Sequence, residues 1–460
     1  MNFKPNFLRL AIFGALSVGI SGAHAGGFAL AEQSIAAMGM ANAGSAAQAM
    51  NDASTIFYNP AGMASLSAIN VAQGLHVISL NAKFQDGGSV AGVGQGGALN
   101  SPGKVGTPTP VPTFFAAMPL TNQIVIGVGI SAPFGLKTEY NEGWIGRYQA
   151  LVSDVKSINI NPSISFKVND QFSIGAGFNF MKFQAELTNN VNYTAVALRG
   201  LQSQGASAAQ LQALTPALVG REGAVQIKGS DTGYGFNVGA MFNVSPDTRI
   251  GAGYRSSIKF GLSGDARFTR PSVTGLPATI AGSVDLIQNA GTPDGAVTVD
   301  VETPSTVSFS AVTKVTPRLS VAGDITWTQW SSIPELKIIR SNGAILNRVD
   351  YSWADSMRYA VGLSYDYGNG YTARAGLAYD ESPVQNALRT ARLPDANRTW
   401  LSFGGSYQLN TRFRLDGAFT HIFVKNAEIN DNLSASGAGV IKGTYKGNVN
   451  ILSLGLVGSF

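Results

Sequence analysis

From residue 69 onward one pattern recurs, with an apolar or aromatic residue at every second position and a small or polar one between. Phe172, Ile174, Ala176, Phe178 and Phe180 alternate with Ser173, Gly175, Gly177 and Asn179, and Tyr359, Val361, Leu363, Tyr365 and Tyr367 alternate with Arg358, Ala360, Gly362, Ser364 and Asp366. A period of two is that of a β-strand, whose successive side chains point to opposite faces. Each such strand offers one face to an apolar medium and one to water or polar packing, so the chain is expected to be all-β. Hydrophobic residues make up 45% of it and charged residues only 13%. Yet beyond the first few dozen residues no run approaches the roughly 18 consecutive apolar residues of a spanning helix. Apolar atoms must therefore be hidden by alternation.

A soluble sandwich and a membrane barrel both use alternating strands. Several runs here exceed the length a sandwich needs, and aromatics gather toward their ends (Tyr359, Tyr365, Tyr367, Tyr371, Tyr379). The opposite parity carries Arg255, Lys259, Arg374, Arg414 and Asp416. Tight turn signals stand at residues 119–122, 168–170, 244–247, 315–317, 367–370 and 409–411. Longer polar or Gly-rich stretches separate them near residues 86–108, 138–147, 189–227, 269–297, 331–350, 383–396 and 430–443. Six short turns and seven long loops join fourteen strands. An even number with short turns at one end predicts a fourteen-stranded antiparallel transmembrane barrel with its short turns in the periplasm. Such a barrel faces outer-membrane lipid and lipopolysaccharide, and one chain closes it, so a monomer is expected. The last strand places Leu452, Leu454, Leu456, Gly458 and Phe460 on one parity. Its terminal aromatic carboxylate resembles the signal read by barrel-assembly machinery.

The N-terminus agrees with that address. Lys4 and Arg9 precede the apolar run 10–20, and Ala23-His24-Ala25 offers a small-x-small cleavage site, so residues 1–25 read as a secretory signal peptide. Removing it takes two basic and no acidic residues, and the formal charge falls from +5 to +3, a balance that suggests no nucleic-acid partner. The absence of cysteine excludes disulfides and thiolate chemistry, and the remaining His76 and His421 form no metal-spaced cluster. No cofactor or metal is expected.

About fourteen strands enclose a lumen wider than their own side chains fill, since eight strands already suffice for a filled interior. Residues 26–68 are the candidate filling. Glu32 and Asp52 are their only ionised side chains, and Ala, Gly, Ser and Met dominate, with helical spacing in residues 31–50. Pro60 lacks an N–H and disfavours helix at Asn59, so the segment must turn there. The barrel then runs over residues 69–460.

The stretches "GGFALAEQSIAAMGMANAGSA", "DASTIFYNPAGMASL", "GISAPFGLKTEY", "GYRSSIKF" and "LPDANRTWLSFGGSY" together resemble the FadL family of outer-membrane transporters for hydrophobic compounds. The resemblance covers essentially the whole mature chain, and its most specific element is Asn59-Pro60-Ala61. It implies a barrel closed by an N-terminal hatch, with Asn59, Pro60, Ala61 and Gly62 at the gate and a kinked third strand that opens the wall. The kink would fall at Pro133-Phe134-Gly135, where a Pro and a Gly so close in a strand independently favour a bend. It also implies passive transport: capture between long outer loops, binding in the lumen, a hatch shift and sideways exit.

In the loop at 189–227, Leu198, Leu201, Leu211, Leu214 and Leu218 have helical spacing, and the loop at 269–297 offers Leu276 and Ile280. With Phe28 in the hatch and Arg348 these are the candidate ligand contacts, though the leucines would equally suit a small loop core. Fatty-acid-transporting members hold the carboxylate with basic side chains. Alignment places Asn189 and Val349 at two such positions, leaving a neutral hydrocarbon open as the ligand. A general diffusion porin is the competing reading, against which the plug-like segment argues. A lipase-type barrel enzyme is the other, but no nucleophile elbow accompanies His421, and no enzyme is expected.

Overall fold

The computed structural model describes residues 26–97 and 108–460. The expected leader, residues 1–25, lies outside them. Fourteen antiparallel strands form the wall: β1 (Asn70–Asp86), β2 (Thr109–Pro119), β3 (Ile124–Ser131 and Gly135–Glu139), β4 (Val152–Lys167), β5 (Phe172–Asn192), β6 (Glu222–Asn243) and β7 (Thr248–Arg255 and Ile258–Thr269). They continue as β8 (Gly295–Thr303 and Thr306–Lys314), β9 (Leu319–Thr328 and Glu335–Arg340), β10 (Ile345–Asp350 and Ser356–Asp366), β11 (Tyr371–Asp380), β12 (Arg398–Gln408), β13 (Phe413–Val424 and Ala427–Leu433) and β14 (Gly439–Ser459). Each pairs with its sequence neighbour, and β1 closes on β14 from Asn70↔Ser459 to Asp86↔Gly443. Closure pairs the first strand with the last, the condition for strands to cross hydrocarbon.

The side-chain alternation changes meaning along each strand. In β5 the outward residues Ile174, Phe178 and Phe180 are exposed while Ser173 and Asn179 are buried in the lumen. One step higher the apolar set changes parity: Met181 and Phe183 point inward and Lys182 and Gln184 outward. β6 mirrors it, with Tyr234, Phe236 and Val238 outward below and Val225 and Ile227 inward above. The lower half thus faces lipid and encloses polar side chains, whereas the upper half faces water and encloses an apolar core.

That inversion corrects two expected loops. Residues 331–350 and 430–443 are largely strand, forming the hairpin of β9 with β10 and that of β13 with β14. Strands that have left the bilayer carry polar residues outward, and by composition they read as loop. The long connections do hold helices: α3 (Tyr193–Ser203) and α4 (Ala208–Leu218) after β5, and α5 (Ala278–Gly291) after β7.

Residues 26–68 fill the lumen. They contain only one-turn helices, α1 (Ile35–Met38) and α2 (Thr55–Tyr58), and two 3-10 turns, and the chain between them adopts positive φ at Ala41, Asn42, Gln48 and Asn51. The segment is bound less by its own helices than by the wall. Arg249 donates to Ala47 O and Gln48 O at 2.7 and 3.0 Å, and Arg255 donates to Phe57 O at 2.7 Å. Arg358 donates to Ala41 O, and Arg414 binds the Asp52 carboxylate at 2.7 Å.

Candidate functional site

The third strand is broken at residues 132–134. Below the break Ile124–Ser131 pairs with both β2 and β4; above it Gly135–Glu139 pairs with β4 alone. Residues 110–113 of β2 therefore have β1 on one side and, among the described residues, no strand on the other. Pro133 explains the local geometry, since it has no N–H to give a ladder. The groups that the break releases are taken up from inside the barrel. Leu30 N donates to Pro133 O at 2.7 Å, Gly135 N to Phe28 O at 2.9 Å, and Gln33 Nε2 to Ala132 O at 3.0 Å. Ala29 and Phe134 form an antiparallel bridge, and Ser157 Oγ bonds both the N–H and the C=O of Phe134. The start of the hatch thus stands where a wall strand is missing.

Phe28 sits at the centre of this junction. Its ring meets Trp330, Phe134, Trp353 and Phe183 at centroid distances of 5.1, 5.7, 5.9 and 6.3 Å. Above it lies a cavity of about 100 Å³, lined chiefly by apolar side chains that include Leu136, Ile227, Leu262, Val299 and Ile338. Engineered apolar cavities of ~150 Å³ stay dry and accept benzene, so the free space is of the size of a small ring or a stretch of acyl chain. The two residues before Phe28 are tethered by carboxylates: Gly26 N donates to Asp380 at 3.0 Å and Gly27 N to Asp395 at 2.9 Å.

Asn59-Pro60-Ala61-Gly62 lies on another part of the wall. Asn59 Nδ2 donates to Ala46 O at 2.6 Å and to Ala240 O at 3.0 Å, and its Oδ1 accepts from Ala61 N. The contact requires wall residues without side chains: a Cβ on Gly239 would stand 1.9 Å from Asn59 Oδ1, and one on Gly175 2.4 Å from Ala61 N. The tetrapeptide is seated on β5 and β6. The kink is met instead by Phe28, Leu30 and Gln33.

The loop leucines gather outside the barrel. Leu201, Leu218 and Ile280 are buried with Val284 and Ile287, and Leu198, Leu211, Leu214 and Leu276 pack around them in a small core of α3, α4 and α5. None of them lines the cavity above Phe28. Arg348 requires a correction. It faces outward, 64% exposed at its side chain, and its Nε pairs with Glu335 at 2.5 Å, because strand alternation turns the adjacent Val349 to the lumen. Asn189 does not line the cavity; its Oδ1 accepts from Arg392 Nη2 at 2.9 Å. Sequence reasoning missed Trp330, Trp353, Asp380, Asp395 and Arg392. Two tryptophans flanking a supposedly polar loop were the available signal for the first pair.

A closed barrel with a lipid-facing lower wall and its own N-terminal segment folded inside is a plugged outer-membrane barrel. Residues 16–460 match the family described as "Outer membrane protein transport protein (OMPP1/FadL/TodX)", and the chain belongs to it. It is 29% identical to a putative outer membrane protein of Neisseria meningitidis serogroup B, over 98% of this chain and 97% of that one. It is 26% identical to the long-chain fatty acid transport protein of Escherichia coli K12, over 94% and 95%. Among solved structures, a Pseudomonas aeruginosa FadL homologue superposes with a TM-score of 0.81 at 25% identity, covering 94% of this chain and all of that one. The Pseudomonas putida toluene transporter TodX shares the fold, with a TM-score of 0.66 at 17% identity over 93% and 98%.

Proposed function

We propose that this protein carries hydrophobic small molecules passively across the outer membrane, from the outer helical cap to the cavity above Phe28 and then sideways through the break in β3. The observation that carries this reading is that residues 110–113 lack a strand on one side, and that the backbone groups at the break in β3 are bonded by hatch residues and not by a strand. A strand pair would have to unzip cooperatively. The hatch contacts are two backbone bonds and one side-chain bond, each worth about 0.5–1.5 kcal/mol, together with the edge contacts of one ring.

The direction of exit follows from solvation. Every methylene moved from apolar surroundings into water costs about 0.8 kcal/mol, so a long acyl chain or aromatic hydrocarbon is not released into a wet pore. A route from apolar cavity to bilayer avoids that loss. It requires Phe28 to leave its site and the residue 28–33 segment to part from Pro133 and Gly135, an exchange in which the incoming ligand replaces the ring. Flow then follows the concentration gradient.

The test restores the wall. Pro133→Val combined with Gly135→Val gives β3 a regular backbone through the break; the barrel should fold and insert, and uptake of a radiolabelled hydrophobic substrate by whole cells should fall to the level of cells lacking the protein. Undiminished uptake would defeat the lateral route.

A further inference from the structure

The break in β3 forms only one side of the opening; the other side is the edge of β2, where prolines recur. Pro108, Pro110 and Pro112 follow one another at a spacing of two. The last two lie in the stretch of β2 that has β1 on one flank and, among the described residues, no strand on the other. In an antiparallel ladder successive residues send their backbone groups to opposite flanks. Val77↔Pro110 and Leu75↔Pro112 belong to an unbroken ladder with β1, which a residue without an N–H joins only where its neighbours make the bonds. The backbone groups of Pro110 and Pro112 therefore face away from β1, toward the opening. The chain just below β2 keeps the same parity, since Leu120 N donates to Ile124 O of β3 at 2.9 Å.

The register names the bonds that are lost. Phe114 stands opposite Ile130, and continuing that pairing upward sets Pro112 opposite Ala132 and Pro110 opposite Phe134. Each of those pairs would exchange two bonds, N–H to C=O in both directions. Proline supplies neither N–H, so two of the four bonds that would seal β3 to β2 cannot form. The two acceptors left over are served from elsewhere: Ala132 O takes Gln33 Nε2 at 3.0 Å, and Phe134 O takes Ser157 Oγ at 2.7 Å. Pro133 does not explain this edge. Its parity is that of Gln123, whose carbonyl accepts from Lys167 N at 2.8 Å, so the N–H it lacks belongs to the ladder with β4. An unbonded N–H facing hydrocarbon is costly, whereas a lone carbonyl is better tolerated. A strand edge left open in a membrane wall is stabilised by losing its donors, and these prolines remove them.

We propose that Pro110 and Pro112 are positioning residues that hold the wall open: by withholding two donors from β3 they make the break a standing port, which the hatch tip closes. The proposal deepens the lateral route argued above and rests on it for what passes through the port, while the state of the β2 edge stands on the register by itself.

The test supplies the donors. Pro110→Val with Pro112→Val leaves Pro133 and Gly135 untouched. With ¹⁵N-valine labelling in detergent micelles, the two amides so created should resist hydrogen exchange as does the amide of Val128, which already pairs with Ala116 of β2. Sealing adds two bonds, each shifting the closed-to-open ratio by up to about tenfold, so uptake of a radiolabelled hydrophobic substrate by whole cells should fall about tenfold or more. Amides that exchange freely in a folded barrel overturn the proposal, whatever the uptake. Protected amides with undiminished uptake instead overturn the lateral route and leave the edge assignment standing. Should the double variant fail to insert, Gln33→Ala with Ser157→Ala decides, with β2 unaltered. If the prolines hold the port open, losing those two side chains leaves it open, and uptake stays within about tenfold of the unaltered protein. Uptake that fell to the level of cells lacking the protein would show that Gln33 and Ser157, and not the prolines, hold the strands apart.

Discussion

Residues 26–33 and residues 41–62 belong to one short segment but are held in opposite ways. The first stretch touches the wall through backbone bonds to a broken strand, one ring in an aromatic nest, and two amide contacts to carboxylates. The second is clamped by four arginines from three strands and seated on glycines that leave no room for a side chain. A segment built this way has a fixed body and a releasable tip. On the proposed route, closure against ions and passage of a hydrophobic ligand would fall to different residues.

Three changes test that division, in order of effect. Arg414→Met leaves Asp52 and Asp416 buried without their cation, and breaking a buried pair costs about 3–5 kcal/mol. The hatch body should loosen, with a lowered melting temperature by circular dichroism and a steady ion conductance in planar bilayers where the unaltered barrel passes little current. Gly239→Val forces a side chain into Asn59 and should cost about 1–3 kcal/mol by overpacking. Conductance should again rise, in intermittent openings. Gln33→Ala acts on the tip alone: it removes bonds to Leu30 O and Ala132 O, each worth ~1 kcal/mol. Melting temperature and conductance should stay near those of the unaltered protein while the uptake rate changes. If Gln33→Ala opened an ion path as wide as that of Arg414→Met, tip and body would be one unit and the comparison would fail.

Much of the architecture was legible because it is local. Alternation at residues 172–180, turn residues at 119–122 and 367–370, and an even strand count each follow from a few neighbouring side chains. The same locality produced the errors. Residues 335–340 and 345–350 alternate too, but their polar members face water above the bilayer, and polar composition there reads as loop. Arg348 was named as a ligand contact because it adjoins Val349, the aligned position, and a shift of one residue in a strand reverses the side chain. Helical spacing in residues 193–218 was legible, whereas whether its leucines face a ligand or one another depends on α5, some sixty residues away.

Sequence by itself determined that this chain forms a closed barrel with a greasy exterior and a plug of small residues, because period, turn chemistry and residue size are properties of short stretches. Only the tertiary structure decided that Leu30 rather than β2 meets Pro133 O, that Trp330, Trp353 and Phe28 converge, and that Arg392 borders the apolar cavity with only neutral hydrogen-bond partners. The physical reason is that a hydrogen bond or a charge is satisfied in space, by groups brought together from separate strands and loops, and no local pattern records which partner is missing.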